Sequence, residues 1–357
     1  MADGLEPRRA NVIGLGLIGG SIAKALTSRG WFVSGIDRME GRADTALLRD
    51  IVAATELDAT AEITFVAVAV LAVADAVKHA LECTSGIVTD VASVKGSVAA
   101  AFDDPRFVPG HPMAGSELDG LDGADADLFE GAVWVLTPTA STTDDAFAAT
   151  AAIVASLGAE VVALSPDRHD ALVAVVSHVP HLAAATLMNL ASERAEEHAA
   201  LLRLAAGGFR DMTRIASGHP AIWLDICLEN RVAIVAGLDG LIAGLGVARR
   251  IVAESDTEAL SRSLTAARAA RTNLPVRGAG LGEVLEVRIP IPDRPGAAAE
   301  VFTLAAELGV NISDFEVFHS AEGGRGVMIL VVDASQRELF RGGLLARGYR
   351  PSMQGLG

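Results

Sequence analysis

From the N-terminus to residue 165, short β-branched runs alternate with stretches of helical periodicity, the pattern of a parallel sheet with crossover helices. The runs Arg9–Ile13, Trp31–Ile36, Ile63–Val70, Gly86–Asp90, Ala132–Thr137 and Glu160–Ala163 predict strands, and helices such as Gly20–Arg29 and Thr143–Leu157 fall between them. Pro, Gly and Asp break the alternation between Pro105 and Asp127, which reads as a loop at the strand ends. Beyond Ser165-Pro166-Asp167, with Asp167 as the expected helix cap, the pattern changes. Residues 166–273 read as almost nothing but helix, apolar around much of its circumference. A surface that apolar needs a partner, and a second copy of the chain is the partner expected, giving a homodimer.

A linker follows at 274–282, after which the two-residue period returns over 283–357. Val284–Ile289, a helix Gly296–Leu308, strands Val310–Phe318 and Gly326–Val332, and a helix Gln336–Arg347 leave only Tyr349–Met353 for a last strand. That order predicts a small ferredoxin-like α+β module. The domains expected are therefore 1–165, 166–273 and 283–357.

The chain has 357 residues, 51% of them hydrophobic, so it builds a sizeable core and is not disordered. With 29 Lys+Arg against 45 Asp+Glu the net charge is -16, which argues against a nucleic-acid partner. Cys83 and Cys227 are far apart and form neither a disulfide framework nor a metal cluster. The acidic start Met1-Ala2-Asp3-Gly4-Leu5-Glu6 lacks a signal core, and the most apolar run, Ile63–Ala74, is too short to span a bilayer. A soluble, cytoplasmic protein is expected.

Candidate chemistry sits where the predicted strands end. Gly14-Leu15-Gly16-Leu17-Ile18-Gly19 follows the first strand and opens a helix, and Asp37 closes the second. Glycines there admit a tight turn and bring backbone N–H groups to a pyrophosphate, while Asp37 suits the adenosine ribose and favours NAD over NADP. Arg38 beside it opposes that preference, since a guanidinium can accept a 2′-phosphate. Thr89-Asp90-Val91-Ala92-Ser93-Val94-Lys95 lies at another strand end, with Ser93 either capping the next helix or facing a ligand. Lys95 is one of three lysines in the chain. His111, in His111-Pro112-Met113-Ala114-Gly115-Ser116-Glu117, suits a proton acceptor for a hydroxyl whose carbon gives up hydride. In the helical segment, His178 and His181 of Ser177-His178-Val179-Pro180-His181 share a face beside a proline bend. No Asp, Glu or Cys stands near them at ligand spacing, so no metal is expected. Arg214 lies among apolar neighbours and calls for a carboxylate, either Asp211 or a substrate's.

Taken together and in this order, these blocks resemble the prephenate/arogenate dehydrogenases of tyrosine biosynthesis, over nearly the whole chain. The carrying motifs are G-x-G-L-I-G-G-S at 14–21, D-V-x-S-V-K at 90–95, H-P-M-A-G at 111–115, S-H-x-P-H at 177–181 and G-F-R-D-M-T-R-I-A at 208–216. The module with Asp293-Arg294-Pro295-Gly296 and Asn311-Ile312 is similar to an ACT domain. The resemblance implies an α/β Rossmann domain, an all-α dimerisation domain and a regulatory ACT domain responding to tyrosine. It implies NAD-dependent oxidative decarboxylation of prephenate to 4-hydroxyphenylpyruvate. By it, His111 accepts the ring hydroxyl's proton with Ser93 as its hydrogen-bond partner, and Arg214 holds a substrate carboxylate, with Lys95 or a histidine as a second cation. Ser177, His178 and His181 then line the pocket and Glu117 gates it. Gly14 to Gly19, Asp37, Arg38 and Val68 take the cofactor; Val68-Ala69-Val70 departs from the family's usual proline there. Rival readings are arogenate as substrate, a β-hydroxyacid dehydrogenase or imine reductase, and a non-catalytic amino-acid sensor.

Overall fold

A computed structural model describes residues 6–116, 118, 120–197, 201–273, 284–292, 294–319 and 325–356. Glu117, Asp293 and the linker at 274–282 lie outside these residues. The chain divides into two compact units, Met1–Leu245 and Gly246–Gly357.

In the first unit, β1 (Arg9–Ile13), α1 (Leu17–Ser28), β2 (Phe32–Ile36), α2 (Arg42–Leu48), β3 (Ile63–Val66), α3 (Val73–Cys83) and β4 (Ile87–Asp90) follow in turn. The strands pair in parallel in the order β2-β1-β3-β4. Parallel strands are covered on both faces, which is why β1 and β3 are apolar runs with Val12, Ile63 and Phe65 fully buried. The polar exceptions satisfy one another, Asn11 Nδ2 donating to Thr64 Oγ1 at 3.1 Å.

After α4 (Gly96–Ala100), Phe107 pairs in parallel with Val88, and the Val108 amide donates to the Val88 carbonyl at 2.9 Å. The chain then forms β5 (Gly110–Pro112), antiparallel to β6 (Val133–Leu136). Beyond β6, α5 (Asp144–Ser156) leads to β7 (Glu160–Ala163), parallel to β6. The stretch from Pro105 to Asp127 therefore carries a strand rather than loop alone. Three residues containing Gly and Pro are too few to show a period, and pairing against β6 supplies what propensity does not. Trp134 on β6 is fully buried against Phe65 and Phe129, ring centroids 6.3 and 5.0 Å away. Aromatic pairs of this kind contribute about 0.5–1.5 kcal/mol beyond their buried area.

The helical segment begins with α6 (Pro166–Val173), a π-helical turn at Ala174–His178 and α7 (Val179–Glu197). Pro166 occupies the first helical turn, which makes Ser165 the N-cap in place of Asp167. Pro180 has no N–H and its ring crowds the carbonyl one turn back. The helix accommodates it by widening just before, where the Val179 amide reaches back to the Ala174 carbonyl.

α8 (Gly207–Thr213), α9 (Pro220–Glu229) and α10 (Arg231–Ala253) complete the segment, α10 crossing the division between the units. Two helices, Pro166–Arg194 and Arg231–Ala253, are long and apolar enough to cross a membrane by length and composition. Both are longer than the apolar run Ile63–Ala74. Ile222, Leu224, Leu228, Val232, Val235 and Ile242 on α9 and α10 are all exposed.

The second unit contains α11 (Thr257–Thr272), β8 (Val284–Pro292), α12 (Ala297–Glu307), β9 (Ile312–His319), β10 (Arg325–Asp333), α13 (Arg337–Ala346) and β11 (Ser352–Leu356). Its sheet is antiparallel in the order β11-β8-β10-β9, with Val287, Ile289, Met328 and Leu330 buried against Val301, Phe340 and Leu344 of the helices. The last strand is clear, but it starts later than Tyr349–Met353 suggests. Tyr349 precedes it, packs against the core and donates its hydroxyl to Glu300 Oε2 at 3.0 Å.

Candidate active site

Because β1 to β4 run in one direction, their C-terminal ends share an edge, where ligands of open parallel sheets bind. Gly14 leaves β1 with φ +94° and lies so close to the Ala67 carbonyl that an added Cβ would stand 2.4 Å from its oxygen. A Cβ at Gly19 would stand 1.8 Å from the Gly14 carbonyl oxygen. At Gly16 an added Cβ meets nothing, and Gly16 caps α1 without a side-chain hydrogen bond. The first amides of a twelve-residue helix are thus presented across a glycine-lined space, a fit for a pyrophosphate.

Leu15 is buried in the core, and its amide donates to Asp37 Oδ2 at 2.7 Å. The other Asp37 oxygen accepts from the Met39 amide at 2.7 Å. The cation nearest this carboxylate is Arg42, with Nη1 at 3.4 Å, whereas Arg38 is exposed. Leu17 and Ile18 are half-buried, and Val68 lies against Gly14, its Cγ1 3.1 Å from the Cβ position there.

His111 stands on β5 just past the end of β4, on the same edge, because Phe107 pairs with Val88 in parallel register. Its strand is held by a buried ion pair. Lys95 Nζ donates to Asp90 Oδ2 and, at 2.8 Å, to the Gly110 carbonyl, and both side chains are wholly buried. Lys95 is therefore committed to the protein's interior and does not supply a cation to a substrate. Burial pulls its pKa down while Asp90 opposes the shift. A Cβ at Gly110 would stand 3.0 Å from Trp134 Nε1 and 3.1 Å from the Asp90 carbonyl oxygen, so the strand packs there without a side chain.

His111 is itself buried, and its Nδ1 lies 2.8 Å from His169 Nε2. His169 Nδ1 lies in turn 2.8 Å from Asp170 Oδ1. Asp170 also accepts the amides of Lys95 and Gly96, both at 2.8 Å, at the start of α4. Burial works against the Asp170 charge, but the His169 hydrogen bond and the two amides outweigh it and hold the carboxyl below its ordinary value. Burial first, then His169, Lys95 and His178, hold His111 well below the usual histidine range. Ser93 is half-buried near this edge; α4 begins beyond it at Gly96, so it does not cap that helix. Neither His169 nor Asp170 carried any signal in the sequence pattern.

From the helical side, His181 stacks on Trp223 of α9 at 3.5 Å between centroids, and His178 meets the same indole edge-on at 6.1 Å. His178 Nδ1 is 3.2 Å from Asn230 Nδ2, which also donates to the Asp170 carbonyl at 2.9 Å. Its Nε2 is buried without a hydrogen-bond partner among the described residues. Burial lowers His178 to about 4, with Asp170 opposing, and lowers His181 as well. Ser177 is half-buried in the π-helical turn. Arg214 opens the 3-10 turn Arg214–Ser217, which packs on α7, and Gly218 just after it approaches His181 and Trp223. Arg214 as a residue is exposed rather than buried.

A phosphate-type cradle sharing one sheet edge with a buried, internally tethered imidazole defines a nucleotide-binding protein equipped for acid–base chemistry. Comparison with known proteins makes this specific. Residues 22–163 match the family described as prephenate dehydrogenase, nucleotide-binding domain, and residues 165–266 match prephenate dehydrogenase, dimerization domain. A prephenate dehydrogenase of Bacillus subtilis is 34% identical over 88% of this chain and 89% of its own. The crystal structure of prephenate dehydrogenase from A. aeolicus in complex with hydroxyphenyl propionate and NAD+ is 27% identical with a TM-score of 0.71, covering 76% of this chain and 100% of that one. Synechocystis arogenate dehydrogenase is 29% identical with a TM-score of 0.66, covering 74% of this chain and 98% of that one. The chain belongs to the prephenate dehydrogenase family, with a Rossmann-like nucleotide-binding domain followed by a helical dimerisation domain.

Proposed function

We propose that the chain oxidises and decarboxylates prephenate to 4-hydroxyphenylpyruvate with NAD, in the cytoplasm. The observation that carries this reading is His111: a buried imidazole at the crevice edge, with one ring nitrogen tethered and no described residue bonded to Nε2. The amides at the start of α1 together with Asp37 would hold NAD, which would supply the hydride acceptor. His111 Nε2 takes the proton of the ring hydroxyl as hydride leaves the same carbon. Loss of CO2 from the opposite ring carbon returns an electron pair to that oxygen. His111 then gives the proton back, and the ring is aromatic. Ser93 orients the hydroxyl beside His111. Arg214 binds a substrate carboxylate, the side chains of Ser177, His178 and His181 line the pocket over Trp223, and Glu117 gates it.

Arogenate differs only by an amino group in place of the ketone, so both substrates belong in the test. NADH formation from prephenate is expected for the wild type, with a loss of about 10²–10⁴ in kcat for His111→Asn and little change in KM. A His111→Asn enzyme of undiminished kcat would overturn the assignment.

The exposed apolar residues of α9 and α10 support a homodimer, in keeping with the dimerization-domain match. The β-α-β-β-α-β order and β11-β8-β10-β9 sheet of the C-terminal module support a ferredoxin-like ACT domain that binds tyrosine near Gly296 and Asn311.

A further inference from the structure

The hydrogen-bonded line from His111 to Asp170 has a direction, because each imidazole nitrogen is either a donor or an acceptor. Asp170 is an acceptor at both oxygens: Oδ1 faces His169 Nδ1 and the Lys95 amide, and Oδ2 faces the Gly96 amide. His169 must therefore carry hydrogen on Nδ1. When neutral, it offers a lone pair at Nε2, 2.8 Å from His111 Nδ1.

We propose that His169, oriented by Asp170, is a positioning residue that locks His111 in the tautomer with hydrogen on Nδ1 and the lone pair on Nε2. This deepens the dehydrogenase reading above, and rests on it for the use made of that lone pair. Free imidazole side chains in water favour the opposite tautomer, with hydrogen on Nε2, which cannot accept a substrate proton. The protein thus holds the less populated form ready before any substrate arrives, and spends no proton rearrangement on it during the reaction.

The surroundings support a fixed rather than an adaptable relay. His169 is wholly buried, and its own amide is tied to the Ser165 carbonyl at 2.9 Å. The groups that bias His111 are Lys95, His169 and His178, all of them buried. Asp170 receives the Lys95 and Gly96 amides at the start of α4, just beyond Ser93, so a single carboxylate ties the imidazole line to the segment that follows β4.

The test uses the full-length protein labelled with 15N-histidine, whose eight histidines are resolved by difference against His111→Asn. The side-chain nitrogen shifts report which ring nitrogen of His111 carries hydrogen, independently of turnover. Wild type is expected to show Nδ1–H. In His169→Gln the amide oxygen can reach His111, the tautomer is retained, and kcat stays within about 10-fold of wild type. In His169→Asn the shorter amide can reach Asp170 but not His111. The hydrogen then moves to Nε2 and kcat falls about 100-fold, with KM for prephenate and for NAD held within a few-fold. Finding Nε2–H in the wild type, as a doubly protonated His169 would impose, overturns the proposal. So does a His169→Asn protein that keeps Nδ1–H on His111. A role in packing alone would penalise Gln and Asn without moving the hydrogen, and that result also overturns it. Absence of turnover on both prephenate and arogenate by the wild type would strike the dehydrogenase reading, while the nitrogen shifts decide the relay regardless.

Discussion

Burial of histidine is the feature that sets the pH behaviour. The proposed base, His111, would act in its neutral form, and its pKa is held well below 6.5 by burial and by His169, Lys95 and His178. The base is therefore present throughout the neutral range, and kcat is expected to fall only as pH drops through this depressed value. A kcat–pH profile whose acid limb lies at or above 6.5 would contradict that. His178 contributes to stability in the same sense. It binds fewer protons folded than unfolded, so stability is fully present above 6.5 and is lost as pH falls towards about 4. The loss amounts to about 3 kcal/mol at most, to be measured by urea titration of wild type and His178→Gln at the two ends of that window. His111, Ser93, His178 and His181 were legible as motif residues because each stands beside Pro, Gly or a strand end. His169 was not, since it lies in an ordinary helix start and meets its partner across 58 positions of sequence. Lys95 misled in the other direction: its rarity suggested a ligand, but only the fold shows the carboxylate it neutralises.

At the level of elements, the glycines of the first turn divide into two kinds. Gly19 serves the backbone, since any side chain there runs into the Gly14 carbonyl. Gly16 faces open space at an uncapped helix start. Gly16→Ala is expected to leave the melting temperature within a few degrees while raising KM for NAD at least 10-fold. Gly19→Ala is expected to lower both stability and cofactor affinity. Thermal melts alongside NAD titrations separate the two. β1, β2, β3 and β4 were legible because parallel strands covered on both faces are short, predominantly apolar and β-branched runs. β5 was not, because three residues around His111 have no periodicity and owe their extended form to β6. The π-helical turn before Pro180 was half legible: the proline announces a disturbance, but whether a helix kinks or widens is decided by what it packs against.

For the molecule as a whole, α9 and α10 leave Val235 and Ile242 half or more exposed, at 50% and 64%. The wild type is expected to run as a dimer on sizing with light scattering, and a Val235→Glu, Ile242→Glu double variant as a monomer. A chain truncated after Asn273 is expected to remain dimeric and to lose inhibition by tyrosine, measured as NADH production with and without that amino acid. Tyrosine sensitivity surviving the truncation would move the effector site elsewhere. The helical segment was legible in the sequence as a surface in need of a partner, whereas the boundary of the second unit was not. It falls inside α10, where no break in periodicity marks it.

The turn that places His178 against Trp223 also exposes Val175 and Val176, and His169 and Asp170 lie on α6 immediately before it. One short run of helix therefore braces His111 on one side and offers an apolar face on the other. If that apolar face is covered only on association, specific activity becomes a function of enzyme concentration, and simple dilution would slacken the hold on His111 with no effector present.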